Sequence, residues 1–314
     1  MPRKLRIQYP GAIYHVINRG NYKSDVFGEP GAAQAFVATL EEAVDRYGWR
    51  LGAYVVMRNH FHLAVQTPEP NLTAGMHWLQ CTFATRFNRL RKENGHLFQG
   101  RYRGILLETN HDWARVVDYI HLNPVRAGLV SPDQVAQFRW SSLNRFHKNQ
   151  LFNGLSTLGW MQAIELDDSS KGWARYGERL VQKAGLPRES AQAEHDELTS
   201  GWAIGTEIWK ETTLSTRVPE ILAKRTGESA GLGTEFLATK WRLRLKQELA
   251  EAGKSDEEVR SSRKGVSWKI AIADRLQREL GVPIKWIARE LNMGNPTSVR
   301  AYLWSHRKNS HITS

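Results

Sequence analysis

His60-Phe61-His62-Leu63-Ala64-Val65-Gln66-Thr67 opens with polar and apolar side chains in alternation, the period of a strand with two different faces. Residues 49–57 read as its partner in a hairpin turned at Arg58-Asn59. Working outward, Ala12 to Arg19 is β-branched and aromatic-rich and stops at Gly20, which predicts a first strand. From Gly31 to Tyr47, apolar Phe36, Val37, Leu40, Ala43 and Val44 recur at helical intervals, and Gly48 ends the run. Residues 72–93 predict a second long helix and residues 102–108 a further strand. The order strand, helix, strand, strand, helix, strand is the split βαβ order, so the reading is α+β, with a ferredoxin-like βαββαβ domain over 1–150.

On the strand that opens at His60, successive side chains point to opposite faces, so His60 and His62 share one face while Phe61 and Leu63 share the other. Two imidazoles so placed can bind one divalent cation, but on the pair alone two exposed histidines are the stronger reading. A helix is expected from Asp112 as N-cap through Val116, Val117, Tyr119 and Ile120, with Pro124 stopping it. Tyr119 and Asn123, four residues apart, lie on one helical face, and His121 points elsewhere. Taken singly, Tyr119 also fits a core aromatic and Asn123 a helix cap.

With 314 residues, 41% hydrophobic and 24% charged, the chain is neither disordered, collagen-like nor a coiled-coil rod. The single cysteine, Cys81, excludes an internal disulfide and a cysteine zinc cluster, and argues for a reducing compartment. No apolar run approaches the roughly 20 residues of a membrane span. The basic start leads into Tyr9-Pro10-Gly11 rather than an apolar stretch, so no signal peptide is expected and the location expected is cytoplasmic.

The formal net charge of +12 points to a polyanionic partner. It is unevenly spread: 19 basic against 11 acidic residues in 1–150, 14 against 18 in 151–259, and 11 against 3 in 260–314. Arg86, Arg89, Arg91 and Lys92 crowd the end of the second long helix, and Arg101-Tyr102-Arg103 opens the next strand. Arg86, Arg89, Lys92, Arg101 and Arg103 are therefore candidate DNA contacts, since guanidinium groups bridge phosphates and aromatic faces stack bases. For Arg86, Arg89 and Lys92 a purely solvated face is an equal reading.

Residues 151–259 read as a largely helical, mildly acidic middle region, closer to a scaffold or lid than to a DNA groove. Beyond it, 267–280, 283–291 and 297–307 predict three helices with short breaks, a helix-turn-helix domain over 260–314. Ser298, Arg300 and Arg307 would then face a major groove. A plain three-helix interaction module is the alternative.

Asn59-His60-Phe61-His62, followed by Asp118-Tyr119-Ile120-His121-Leu122-Asn123-Pro124-Val125-Arg126-Ala127-Gly128, resembles the REP-associated tyrosine transposases. These are bacterial relatives of the single-strand insertion-sequence transposases. Gly11-Ala12-Ile13-Tyr14-His15-Val16-Ile17-Asn18-Arg19-Gly20 and Phe98-Gln99-Gly100-Arg101-Tyr102 carry the same likeness, which covers residues 5–145. The resemblance implies that His60 and His62 hold Mg²⁺ or Mn²⁺ and that Tyr119 attacks single-stranded DNA, forming a 5′-phosphotyrosine and releasing a 3′-hydroxyl. It implies REP-type hairpins with flanking single strand as substrate, no nucleotide cofactor, and a nucleoid-associated location. Asn123 is the expected third ligand from its spacing to Tyr119, and His121 a group supporting the ligands from behind. The other function class is a regulator that binds hairpin DNA without cutting it. The oligomeric state is left open.

Overall fold

The computed structural model describes residues 6–223 and 234–310 and comprises two compact units, Met1–Gly231 and Leu232–Ser314. The first unit runs β1 (Ala12–Arg19), α1 (Ala32–Tyr47), β2 (Arg50–Val56), β3 (His60–Thr67), α2 (Leu72–Arg91), β4 (Arg103–Leu107) and α3 (Asn110–Arg126). It continues with α4 (Ser142–His147), α5 (Ser170–Ala184), α6 (Arg188–Thr199), β5 (Ala203–Ile204) and α7 (Glu207–Ala223). β2, β3, β1 and β4 lie side by side in that order, each antiparallel to its neighbour, as the βαββαβ reading requires. β5 adds a fifth strand parallel to β4 and makes the sheet mixed. Two residues long, it carries no alternation by which the sequence could announce it.

The two faces of β3 serve different ends. Phe61 packs with Phe27, Phe36 and Phe98, and Phe36 with Phe83 of α2, so α1 and α2 cover one face of the sheet. Full burial of such a phenylalanine stabilises the fold by about 1.5–3 kcal/mol. α3 lies against β1, β2 and β3 on the face that carries His60 and His62, with α5 and α6 packed on α3 in turn. Gly48, at φ 62°, ends α1 in the left-handed conformation, and its N–H caps the last carbonyls.

Two sequence expectations for α3 are corrected. Its N-cap is Thr109, not Asp112: the Thr109 hydroxyl accepts from the Asp112 N–H while the Asp112 carboxylate accepts from the Thr109 N–H, a reciprocal box that starts the helix a turn earlier. Pro124 does not stop the helix, which continues to Arg126. Only two helical residues follow the proline, and Gly128, at φ 68°, lies just beyond the C-cap Ala127, so the clash with the preceding turn falls where the helix is already ending.

The domain boundaries also move. Residues 151–223 belong with the first 150, because β5 extends the sheet and α5 and α6 pack on α3; the expected breaks at 150 and 259 give way to one division at Gly231/Leu232. The second unit holds α8 (Thr234–Glu251), α9 (Asp256–Ser261), α10 (Ser267–Leu280), α11 (Ile284–Glu290) and α12 (Pro296–Ser310). Ile272, Leu276, Ile287, Leu291, Val299 and Leu303 form its core, and Trp241, Leu245 and Leu249 of α8 join it, so this unit begins upstream of 260. Among the described residues no helix is long and apolar enough to cross a membrane.

Candidate active site

Strand register sets the first half of the site. Ile17 of β1 faces His62 and Arg19 faces His60, and residues directly opposite share a sheet face, so His15, Arg19, His60 and His62 all point toward α3. Tyr119 of α3 meets them: its ring centroid lies 5.4 Å from that of His62 and 5.7 Å from that of His15. Asn123, one turn further on, lines the same cavity as Tyr119 and His60; its amide lowers the Tyr119 phenol and raises the His60 ring, each against a larger effect of burial. Tyr119 is 2% exposed, and burial pushes its phenol up to about 12, against the pull of Arg126, whose guanidinium lies 4.7 Å from the ring centroid.

Hydrogen bonds assign the ring tautomers. The Leu198 carbonyl only accepts, so His15 carries its hydrogen on Nδ1, 2.8 Å away. His15 Nε2 is then the acceptor for His62 Nδ1 at 2.9 Å, which leaves the lone pair of His62 on Nε2. By the same logic His60 donates from Nδ1 to Asn59 Oδ1 at 2.7 Å and keeps its lone pair on Nε2. Burial, and then Arg19, lowers His60 to about 4; burial, and then His15 and His60, lowers His62 well below the usual imidazole range. Two neutral imidazoles with free Nε2 lone pairs, beside an amide, are a donor set that fits a divalent cation. Among the described residues no group of three or more His, Cys, Asp or Glu is placed to hold one metal ion, so His60 and His62 would need Asn123, water or substrate oxygen to complete a coordination sphere.

The second half of the site comes from residues that the sequence reading took for scaffold. His195 of α6 places Nδ1 2.9 Å from the Tyr119 hydroxyl. Arg103 donates to the Thr199 carbonyl at the end of the same helix. Glu194 bridges Arg126 of α3 and Lys183 of α5; although burial works against its charge, those two cations hold its carboxyl below the usual range. Lys183 and Arg179 also flank the fully buried Asp118, at 3.0 and 2.8 Å.

Between these elements lies a cavity of about 1340 Å³, lined by Tyr119, His60, His62, Asn123 and His195 and by the cations Arg19, Arg101, Arg103, Arg126, Lys183 and Arg188. Four expected catalytic or metal positions and two of the expected DNA contacts thus meet in one basic cavity. The others lie elsewhere. Arg86 is bound to Glu42 through both guanidinium nitrogens and to Thr39, and neither it, Arg89 nor Lys92 lines the cavity. In the second unit Ser298 donates to Asn295 Oδ1, Arg300 is exposed, and Arg307 is tied to Asp274 and Gln277 rather than free for a groove. His121 does not support the ligands: it is buried between the Tyr176 and Ser142 hydroxyls. His15, Arg126, Lys183 and His195 were not foreseen. His15 was findable from the β1–β3 register; nothing in the sequence around His195 marks it.

Residues 8–123 match the protein family described as Transposase IS200 like, a span that includes His60, His62, Tyr119 and Asn123 and stops short of α5 and α6. A Haemophilus influenzae protein named, provisionally, as a REP-associated tyrosine transposase is 25% identical over 128 residues, which are 37% of this chain and 72% of that protein. Among solved structures, a REP-associated tyrosine transposase bound to a REP hairpin is 20% identical, with a TM-score of 0.40, covering 48% of this chain and 88% of its own. A crystal structure of a provisionally named Deinococcus radiodurans transposase is 22% identical, with a TM-score of 0.28, covering 38% and 95%. The sequence comparisons bear out the resemblance to REP-associated tyrosine transposases and support a transposase role.

Proposed function

We propose that the protein is a single-strand DNA endonuclease and strand transferase that acts on REP-type hairpins through a covalent bond to Tyr119. The observation that carries this reading is the convergence of the Tyr119 hydroxyl, His60, His62 and Asn123 in one arginine-lined cavity. Arg19, Arg101, Arg103 and Arg126 supply the positive field that holds a phosphodiester backbone beside the phenol. Tyr119 attacks the phosphorus in line with the departing 3′ oxygen, giving a 5′-phosphotyrosine and a free 3′-hydroxyl. A 3′-hydroxyl attacking that linkage rejoins the strand, and because one phosphate ester replaces another no nucleotide cofactor is needed. His60, His62 and Asn123 would hold Mg²⁺ or Mn²⁺, which supplies charge neutralisation at the phosphate. His60 and His62 keep their Nε2 lone pairs on the sheet face that Tyr119 meets.

In the second unit, α10 to α12 have the succession of a helix-turn-helix, and we assign them to the duplex stem of the hairpin, with Ser298 and Arg300 at the groove. The test is incubation with MnCl₂ and a labelled palindromic hairpin carrying single-stranded flanks, followed by a denaturing gel. Wild type should form a protein–DNA adduct, Tyr119→Phe none, and His62→Ala little. Binding of the hairpin without any adduct would instead make the protein a non-catalytic hairpin-binding regulator.

A further inference from the structure

A phenol attacks phosphorus effectively only as it loses its proton, and the Tyr119 hydroxyl is buried, with a ring nitrogen within hydrogen-bond distance. Some group beside it must take that proton. We propose that His195 is a catalytic residue, the general base that accepts the Tyr119 proton during cleavage and returns it during joining; this rests on Tyr119 being the nucleophile.

The geometry selects His195 among its neighbours. Its Nδ1 lies 2.9 Å from the Tyr119 oxygen, within the range for direct proton transfer. His15 lies as near in the fold, but Nδ1 is committed to the Leu198 carbonyl and Nε2 to His62. His60 and His62 each spend Nδ1 on another partner, and under the proposed function their Nε2 lone pairs are given to the cation. Asn123 lines the same cavity, but its amide takes no proton at neutral pH, and Arg126 is already a cation. Arg126 lies over the phenol ring, where its charge favours the phenolate once formed.

The imidazole is also held in place. Glu194, the residue before it, is paired with Arg126 and Lys183; Glu197 is paired with Arg115 at 2.7 Å; the Leu198 carbonyl is bound by His15 and the Thr199 carbonyl by Arg103. These contacts fix α6 on β1, β4, α3 and α5 around one ring, the preorganisation that proton transfer to a defined atom requires.

The step balances. In cleavage the Tyr119 O–H bond breaks and an N–H bond forms at His195 Nδ1, while the tyrosine oxygen bonds to phosphorus and the phosphorus–3′ oxygen bond breaks. The departing 3′ oxygen, opposite the phenol, takes a proton from water. In joining, an incoming 3′-hydroxyl loses its proton to water, its oxygen bonds to phosphorus, and the tyrosine oxygen leaves and recovers its proton from the His195 imidazolium.

The experiment uses the full chain, MnCl₂ and a palindromic hairpin with randomised single-stranded flanks, labelled at its 3′ end so that the label stays with the adduct, under single-turnover conditions at saturating protein. Loss of a general base should slow adduct formation by about 10²–10⁴-fold in His195→Ala, with hairpin affinity unchanged. Joining from preformed adduct should slow by a comparable factor, because the same group returns the proton. Added imidazole should recover part of both rates in His195→Ala, which also shows that the variant is folded, and should do nothing for Tyr119→Phe. His195→Gln, which fills the space without a basic nitrogen, should stay slow. Wild-type rates in His195→Ala overturn the proposal, and so do faster ones, which would make the contact a restraint on Tyr119. If wild type itself forms no adduct, the tyrosine reading fails, and this one with it.

Discussion

Burial holds four histidines neutral: His15 and His60 are lowered to about 4 and His121 to about 3, and His62 falls well below the usual value, in each case chiefly by loss of water around the ring. Above the unfolded value of about 6.5 neither state is protonated, and below it the unfolded chain binds protons that the fold refuses. Stability should therefore be flat above pH 6.5 and fall as pH drops toward 4; urea unfolding midpoints at pH 7.5, 6 and 5 check this, and equal midpoints would contradict it. His15 has a further consequence. It fixes the hydrogen of His62 on Nδ1, so His15→Leu should weaken Mn²⁺ binding by about 10–100-fold, as read by the free-ion EPR signal. At this scale Tyr119, Asn123 and the histidine pair were legible because helical spacing and strand alternation fix which side chains share a face. His195 was not, because its role depends on α6 folding back over α3 from 76 residues away in the chain.

Among the elements, α3 sits where it does because β2 lets it approach. At the register shift between Leu51 and Ala53, a Cβ on Gly52 would stand 2.7 Å from the indole nitrogen of Trp113, in the first turn of α3. Gly52→Ala should push α3 outward and cost about 1–3 kcal/mol, measured by denaturant unfolding, with adduct formation falling as Tyr119 moves off the histidines. On the far side of α3, Arg179 holds the buried Asp118 beside Tyr119, and Arg179→Ala should cost about 1.5–3 kcal/mol in the same assay. The βαββαβ order was readable because each element carries its own period and ends at a glycine or a polar turn. β5 and the capping box at Thr109 were missed because one is two residues long and the other depends on a reciprocal pair of hydrogen bonds rather than on a single residue type.

For the molecule as a whole, the charge asymmetry in the sequence fits the structure of each unit. The first concentrates arginines around one cavity although residues 151–259 are acidic on balance, because Glu194 and Glu197 are spent pairing with Lys183, Arg126 and Arg115. The second unit keeps Arg300 exposed on α12. Hairpin affinity should fall steeply with salt, and Arg300→Ala should lower the slope of log affinity against log salt by about 1; an unchanged slope would remove Arg300 from the phosphate contacts. The likeness to transposases covers only part of the chain, so the remainder rests on its own geometry.

The most direct test of the central claim is to isolate the adduct formed with the hairpin, digest it with nuclease and trypsin, and locate the residual nucleotide by mass spectrometry. The account predicts a 5′-phosphate-linked nucleotide on the peptide spanning 116–126, at Tyr119. A nucleotide on any other tyrosine, or an adduct that survives in Tyr119→Phe, would contradict it.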